Sequence, residues 1–170
     1  MAAQSDGKIL FGGNFTYLDG FLTPCNRLGR LNVDGSLDPS INDNALNGSV
    51  SALAVQPDGK IVIGGDFTTL GFGGGLVGST TRNHLGRLNA NGSLDTSFNP
   101  GVSGQDLGAI GSIVVQPDGK ILVGGWFYAL GGGTGTTRRS YIGRLNFDGS
   151  VDVNFNPSAG LPVNAIAVQA

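Results

Sequence analysis

One cysteine, one histidine, one tryptophan and one methionine occur among 170 residues, and only 13% of the chain is charged. A single cysteine excludes an intrachain disulfide, and Cys25, beside Pro24, lacks the family signature of a catalytic thiol. The lone histidine, His84, has no serine, cysteine or carboxylate repeated with it, so no nucleophilic constellation can be assembled around it. A net charge of −2 leaves no basic face for a general nucleic-acid binder. No apolar run reaches the 18 residues that would cross a membrane as a helix. Met1-Ala-Ala-Gln-Ser-Asp has neither the basic start nor the long apolar stretch of a signal peptide. The expectation is synthesis in the cytoplasm, which leaves open use at a cell surface or in a virion. No stretch combines a 3.6-residue period with helix caps.

Glycine is abundant instead, at 31 residues, against roughly 7% in average proteins. It recurs in a pattern. "VQPDGKIVIGG" at 55–65 returns as "VQPDGKILVGG" at 115–125, and "AQSDGKILFGG" at 3–13 is an eroded copy. Arg30, Arg87 and Arg144 follow at intervals of 57 residues, as do Asp38, Asp95 and Asp152. Internal repetition of this length is the first signal to weigh.

Each unit reads as consecutive short strands. "VSALAVQ" alternates as a half-buried strand does, and Pro57-Asp58-Gly59 supplies a tight turn. "KIVIGGDF" suits a strand covered on both faces. Asn91-Gly92, matched by Asp34-Gly35 and Asp148-Gly149, is a strong hairpin signal. The fold class expected is all-β, a β-propeller of three four-stranded antiparallel blades per chain. Blade 1 spans about 1–49, blade 2 about 50–109 and blade 3 about 110–162.

Gln-Pro-Asp-Gly-Lys, the glycine pair, Arg-Leu-Asn and Asp-Gly-Ser-Leu-Asp together resemble the delta-60 repeat, a bacterial propeller-type family. The likeness covers nearly the whole chain and departs in the first copy, where Ser5 replaces proline. The glycine pairs alone are similar, more weakly, to kelch blades. The resemblance implies a propeller and brings no catalytic residues.

"VNAIAVQ" at 163–169 aligns with the leading strands "VSALAVQ" and "IGSIVVQ". The expectation is that 163–170 completes the first blade of another copy, with Val163, Ile166 and Val168 facing inward. Two chains would then form a six-bladed homo-oligomeric ring, since three blades are too few to close.

Asp58, Lys60, Arg87, Asp95 and their equivalents recur in all units, so they read as scaffold. The Asp/Asn-Gly-Ser loops place glycine at position 4 of a calcium-loop count that needs it at 6, which favours hairpins over metal. Gly73, Gly75 and Gly78 spell a nucleotide motif, but a strand follows rather than a helix. No cofactor is expected. What differs between units is more telling. The loops at 19–27, 71–83 and 131–140 vary in length at one position of the repeat and should share a face. Arg82, Trp126, Tyr128, Arg138 and Arg139 are the candidate partner-binding residues there, with Tyr17 and Phe72 beside them. The function expected is a non-enzymatic structural or binding module that docks on a larger assembly, a cell surface or a virus particle. A carbohydrate-binding propeller lectin is the alternative, weakened because only one unit carries a tryptophan, and an enzyme working in the central channel is the remote third.

Overall fold

The computed structural model describes residues 1–18, 23–41, 46–71, 79–104 and 109–169. The first unit holds β1 (Ala2–Ala3), β2 (Ile9–Gly12), β3 (Tyr17–Leu18), β4 (Thr23–Pro24) and β5 (Leu28–Leu31). The second holds β6 (Val50–Val55), β7 (Ile61–Gly65), β8 (Thr69–Gly71), β9 (Ser79–Thr81) and β10 (Leu85–Leu88). β11 (Val102–Ser103) leads to the third, with β12 (Ile110–Val115), β13 (Ile121–Gly125), β14 (Ala129–Leu130), β15 (Thr137–Arg138) and β16 (Ile142–Leu145). Among the described residues there is no helix.

The three units build antiparallel sheets in one order, β1-β2-β5, β6-β7-β10 and β12-β13-β16. Their registers agree residue for residue: Leu10 opposes Arg30, Val62 opposes Arg87 and Leu122 opposes Arg144. The turn between the first two strands closes as the sequence dictates. In the second unit the Gln56 N–H donates to the Lys60 carbonyl at 2.8 Å, and Asp58 Oδ1 accepts the Lys60 N–H at 3.1 Å. Gly59 there takes φ 82°, a region that costs glycine nothing.

The expected fourth strand shrinks to a single bridge in each sheet, Leu31 to Leu37, Leu88 to Leu94 and Leu145 to Val151. Its competitor is the aspartate one residue further on. Asp95 donates its N–H to Arg87 O at 2.9 Å, then its Oδ1 accepts the N–H and Oγ–H of Ser97. That local turn draws the chain off the ladder. The loops, in contrast, contain paired strands among their described residues. β3–β4, β8–β9 and β14–β15 are paired hairpins, and β11 extends the last into a three-stranded sheet.

The core lies between units. Leu10, Leu28, Ile41, Val50, Ile61, Ile63, Phe67, Leu70 and Leu88 pack the first against the second. Val62, Leu85, Phe98, Ile110, Ile121, Val123, Phe127 and Leu145 pack the second against the third. The glycine pair makes this approach possible. A Cβ built on Gly64 would lie 2.5 Å from Ile110 Cγ2, and one on Gly12 would lie 2.5 Å from Val50 Cγ1.

Residues 163–168 belong to no ladder within the chain. They lie on the third unit as β6 lies on the first and β12 on the second. The Cβ position of Gly124 is 2.9 Å from Val163 Cγ1 and 3.0 Å from Ile166 Cδ1, and the Ile166 N–H donates to Ser112 Oγ at 3.0 Å. Val163 and Ile166 therefore face the third unit, half-buried, whereas Val168 is exposed.

Candidate functional site

In each unit the residue that opens the third strand adopts a left-handed backbone: Arg27 at φ 63°, His84 at 65° and Tyr141 at 65°. Its N–H donates to Phe15, Phe67 or Phe127 O at 2.8 Å in every case. Such a φ is uncommon outside glycine, and here the repeated hydrogen bonds hold it. The backbone device is common to all units, so the side chain mounted on it is what distinguishes them.

On the second unit this position carries a polar network. Ser49 Oγ donates to Asp66 at 2.6 Å, Asn47 Oδ1 accepts the Thr68 and Thr69 N–H groups, and His84 Nδ1 lies 3.2 Å from the Gly65 carbonyl. Burial, the larger influence, pulls the His84 imidazole below its ordinary pKa, opposed by the Gly65 carbonyl and Asp66. On the third unit the same places hold aromatic rings. Trp126 stands where Asp66 does, Tyr128 where Thr68 does and Tyr141 where His84 does. Tyr141 OH donates to Tyr128 OH at 2.9 Å, and the rings meet edge to face with centroids 5.2 Å apart. Trp126 is 51% exposed and Tyr128 37%. An amphipathic cluster of this kind presents flat apolar area with a hydroxyl rim at little entropic cost.

The arginines separate. Arg138 is exposed and opposes Ala129, the residue after Tyr128, in the β14–β15 pair. Arg82 and Arg139, expected on the open loop face, are buried in equivalent positions instead. Arg82 donates to Thr81 O and Thr96 O, and Arg139 to Arg138 O, Asp152 O and Val153 O. They tie each hairpin to the outer edge of its own sheet, and their buried Nε atoms have no hydrogen-bond partner among the described residues. Tyr17 is exposed on the first unit. Phe72, with Gly73, Gly75 and Gly78, lies outside the described residues. The third loop is held down rather than free, because Asn83 Nδ2 of the second unit donates to Gly133 O at 2.6 Å. Tyr141 is the residue that sequence reading missed. Its signal was alignment with His84 and Arg27, which marked a strand opening without revealing where the side chain points.

The recurrent charges form one triad per unit. Asp95 Oδ2 accepts from Lys60 Nζ at 2.9 Å and from Arg87 Nε at 2.9 Å, and Lys8–Asp38–Arg30 and Lys120–Asp152–Arg144 repeat it. Arg87 also lies over the Phe98 ring at 4.2 Å. Desolvation alone would raise the Asp38 and Asp95 carboxyls, but serine and lysine hydrogen bonds and the adjacent guanidinium outweigh it and hold both far below the usual range. In the Asp-Gly-Ser hairpins, Asp34 and Asp148 spend an oxygen on the N–H and Oγ–H of the following serine. Among the described residues no group of three potential metal ligands comes together.

At the opposite strand ends a cavity of about 710 Å³ gathers equivalent residues of the three units, Gln4, Gln56 and Gln116 with Ala3, Val55 and Val115. The three glutamine oxygens face Arg30, Arg87 and Arg144, at 3.4, 3.0 and 3.3 Å.

Among curated proteins no relative matches the sequence. A family model does match, over residues 4–40, 56–98 and 116–155, each stretch running from a Gln-x-Asp-Gly-Lys turn to the aspartate of a charge triad and just beyond. Those stretches make up well over half of the chain, which therefore belongs to the family described as domain of unknown function (DUF5122) beta-propeller.

Proposed function

We propose that this protein is a non-enzymatic binding module, a propeller half of three blades that a second chain completes to six, docking on a larger assembly through one loop face. The finer likeness to the delta-60 repeat is in keeping with this scaffold role. The observation that carries the reading is the aromatic cluster of the third unit: Trp126 and Tyr128 stay exposed while the matching side chains of the second unit, Asp66 and Thr68, are bound into a polar network. Exposed aromatics beside an arginine are the usual anchors of protein interfaces. Arg138 supplies that cation. The same exposed tryptophan favours a second reading, a single sugar stacked on the indole face.

The test is affinity capture with intact protein and with the paired variant Trp126→Ala, Tyr128→Ala, alongside a glycan array. The docking reading expects a defined protein held by the intact form and lost by the variant, with no array signal. Equal retention by both forms places the contact elsewhere. Array binding abolished by Trp126→Ala establishes the sugar reading in its stead.

A further inference from the structure

Away from the loop face, the cavity of about 710 Å³ is built from one short turn used three times. Gln4, Gln56 and Gln116 each open a Gln-x-Asp-Gly-Lys turn that fixes their backbone at both ends. Their N–H groups donate to Lys8, Lys60 and Lys120 O at 2.8 Å in every case. Their carbonyls accept the Gly7, Gly59 and Gly119 N–H groups at 3.0, 2.9 and 2.9 Å. The carboxamides are fixed as well. Each Oε1 accepts from the arginine of its own unit, Arg30, Arg87 or Arg144. A guanidinium only donates, so the oxygen must be the atom that faces it, and the Nε2 donors are what remains.

None of the three Nε2 groups has an acceptor among the described residues. At Gln56 this matters most: the side chain lines the cavity, is 2% exposed, and carries a buried Nε2. A buried donor without a partner has lost its hydration and gained nothing in return. Gln56 belongs to the middle unit, so the feature lies in the body of the array. Gln4 and Gln116, half-buried, bring the same donors from the neighbouring units, and half-buried Val55 and Val115 supply apolar lining. The surroundings select the acceptor. Each amide oxygen meets a guanidinium, which polarises the amide and strengthens its N–H donors. Acceptors for a ligand's own donors are scarce. The glutamine oxygens are taken, and Asp6, the one carboxylate among the described lining residues, is exposed and already accepts the Lys8 N–H. Sugar hydroxyls call for both kinds of partner, whereas an ionised carboxylate calls for donors alone.

We infer that this cavity is a binding site for a small organic carboxylate, its oxygens accepting from Nε2 of Gln56 and of a neighbouring glutamine, its apolar body lying on Val55 and Val115. The volume falls within the roughly 300–1,000 Å³ of small-molecule sites. The donors are in place beforehand: the turn holds each glutamine backbone and the arginine holds its oxygen, so binding removes little side-chain freedom. The site is independent of whatever docks on the loop face, since Trp126 and Tyr128 follow the far end of β13.

The test is a titration of the isotope-labelled intact protein with benzoate at constant ionic strength, following the side-chain amide signals of Gln4, Gln56 and Gln116 by NMR. Saturable shifts of these signals at millimolar benzoate are expected, with none from benzyl alcohol or sodium chloride. Gln56→Glu keeps an oxygen for Arg87 and exchanges the donors for a second, repelling oxygen, which should weaken benzoate binding by about tenfold or more. Gln116→Glu makes the same exchange at a half-buried place and carries the test if the buried substitution disturbs the backbone spectrum. Trp126→Ala should leave the shifts untouched, and their loss in that variant moves the ligand to the loop face and overturns the site. So does benzoate that moves none of the three signals, chloride that moves them equally, or unchanged benzoate affinity in a folded glutamate variant. Equal shifts with benzyl alcohol overturn the carboxylate as the ligand class.

Discussion

Asp95 shows what a residue repeated in every unit does in this protein. Its carboxylate holds Lys60, Arg87 and Ser97 together and is almost fully buried. Removing one partner of a buried pair leaves the other charge uncompensated, at about 3–5 kcal/mol. Asp95→Ala should therefore destabilise the fold by that order, read from urea denaturation at pH 7. Asp152→Ala should cost less, because Arg144 keeps access to water. The pH dependence follows from the same groups. Asp38 and Asp95 have folded pKa values far below the unfolded value near 3.9. Their stabilisation is complete above that unfolded value and is lost as pH falls below it towards the folded values. His84, also lowered, is stabilising in its neutral form above about 6.5 and begins to lose that contribution below it. Denaturation midpoints from pH 8 to 2.5 should show a shallow decline below 6.5 and a steep one below 4, and His84→Asn should remove only the first. Spacing made the triads legible as scaffold, because Arg87 and Asp95 share one interval with their equivalents. It misplaced Arg82 and Arg139, whose partners are backbone carbonyls and so leave no mark in composition.

Strands and turns were the most legible elements. The glycine doublets, the Asp-Gly-Lys turns and the Asn-Gly hairpins all stand where the pattern put them. The fourth strand was not legible, since an aspartate at the edge of a ladder can either continue the strand or cap its own turn, and here it caps. The hairpins inside the loops were hidden for a related reason: glycine-rich connections carry no period, and β14–β15 is held by β11 and Asn83 from the preceding unit. Gly64 permits Ile110 to reach the sheet. Gly64→Ala should cost about 1–3 kcal/mol through overpacking, seen as a lower urea midpoint with an unchanged slope. Gly160, with open space around it, is the control, and Gly160→Ala should leave the midpoint within about 0.5 kcal/mol. Equal effects at the two sites would contradict a packing role for the doublet.

At the scale of the whole molecule, each hydrophobic core belongs to a pair of units and neither to one unit alone. Stability in such an array is a sum of unit and interface contributions. The alignment of 163–169 with the inner strands was visible in the sequence, and the structure lays Val163 and Ile166 on the third unit. The partial exposure of Ile9 was not visible, and becomes evident only against the buried Ile61 and Ile121 in the same register. The Tyr128–Tyr141 contact likewise needed the fold, because the two rings come from separate segments of the third unit. Sedimentation equilibrium of the intact protein at low micromolar concentration tests the central claim most directly. The account predicts a species of twice the 17.3 kDa of one chain, and a stable single-chain species across that concentration range would contradict it.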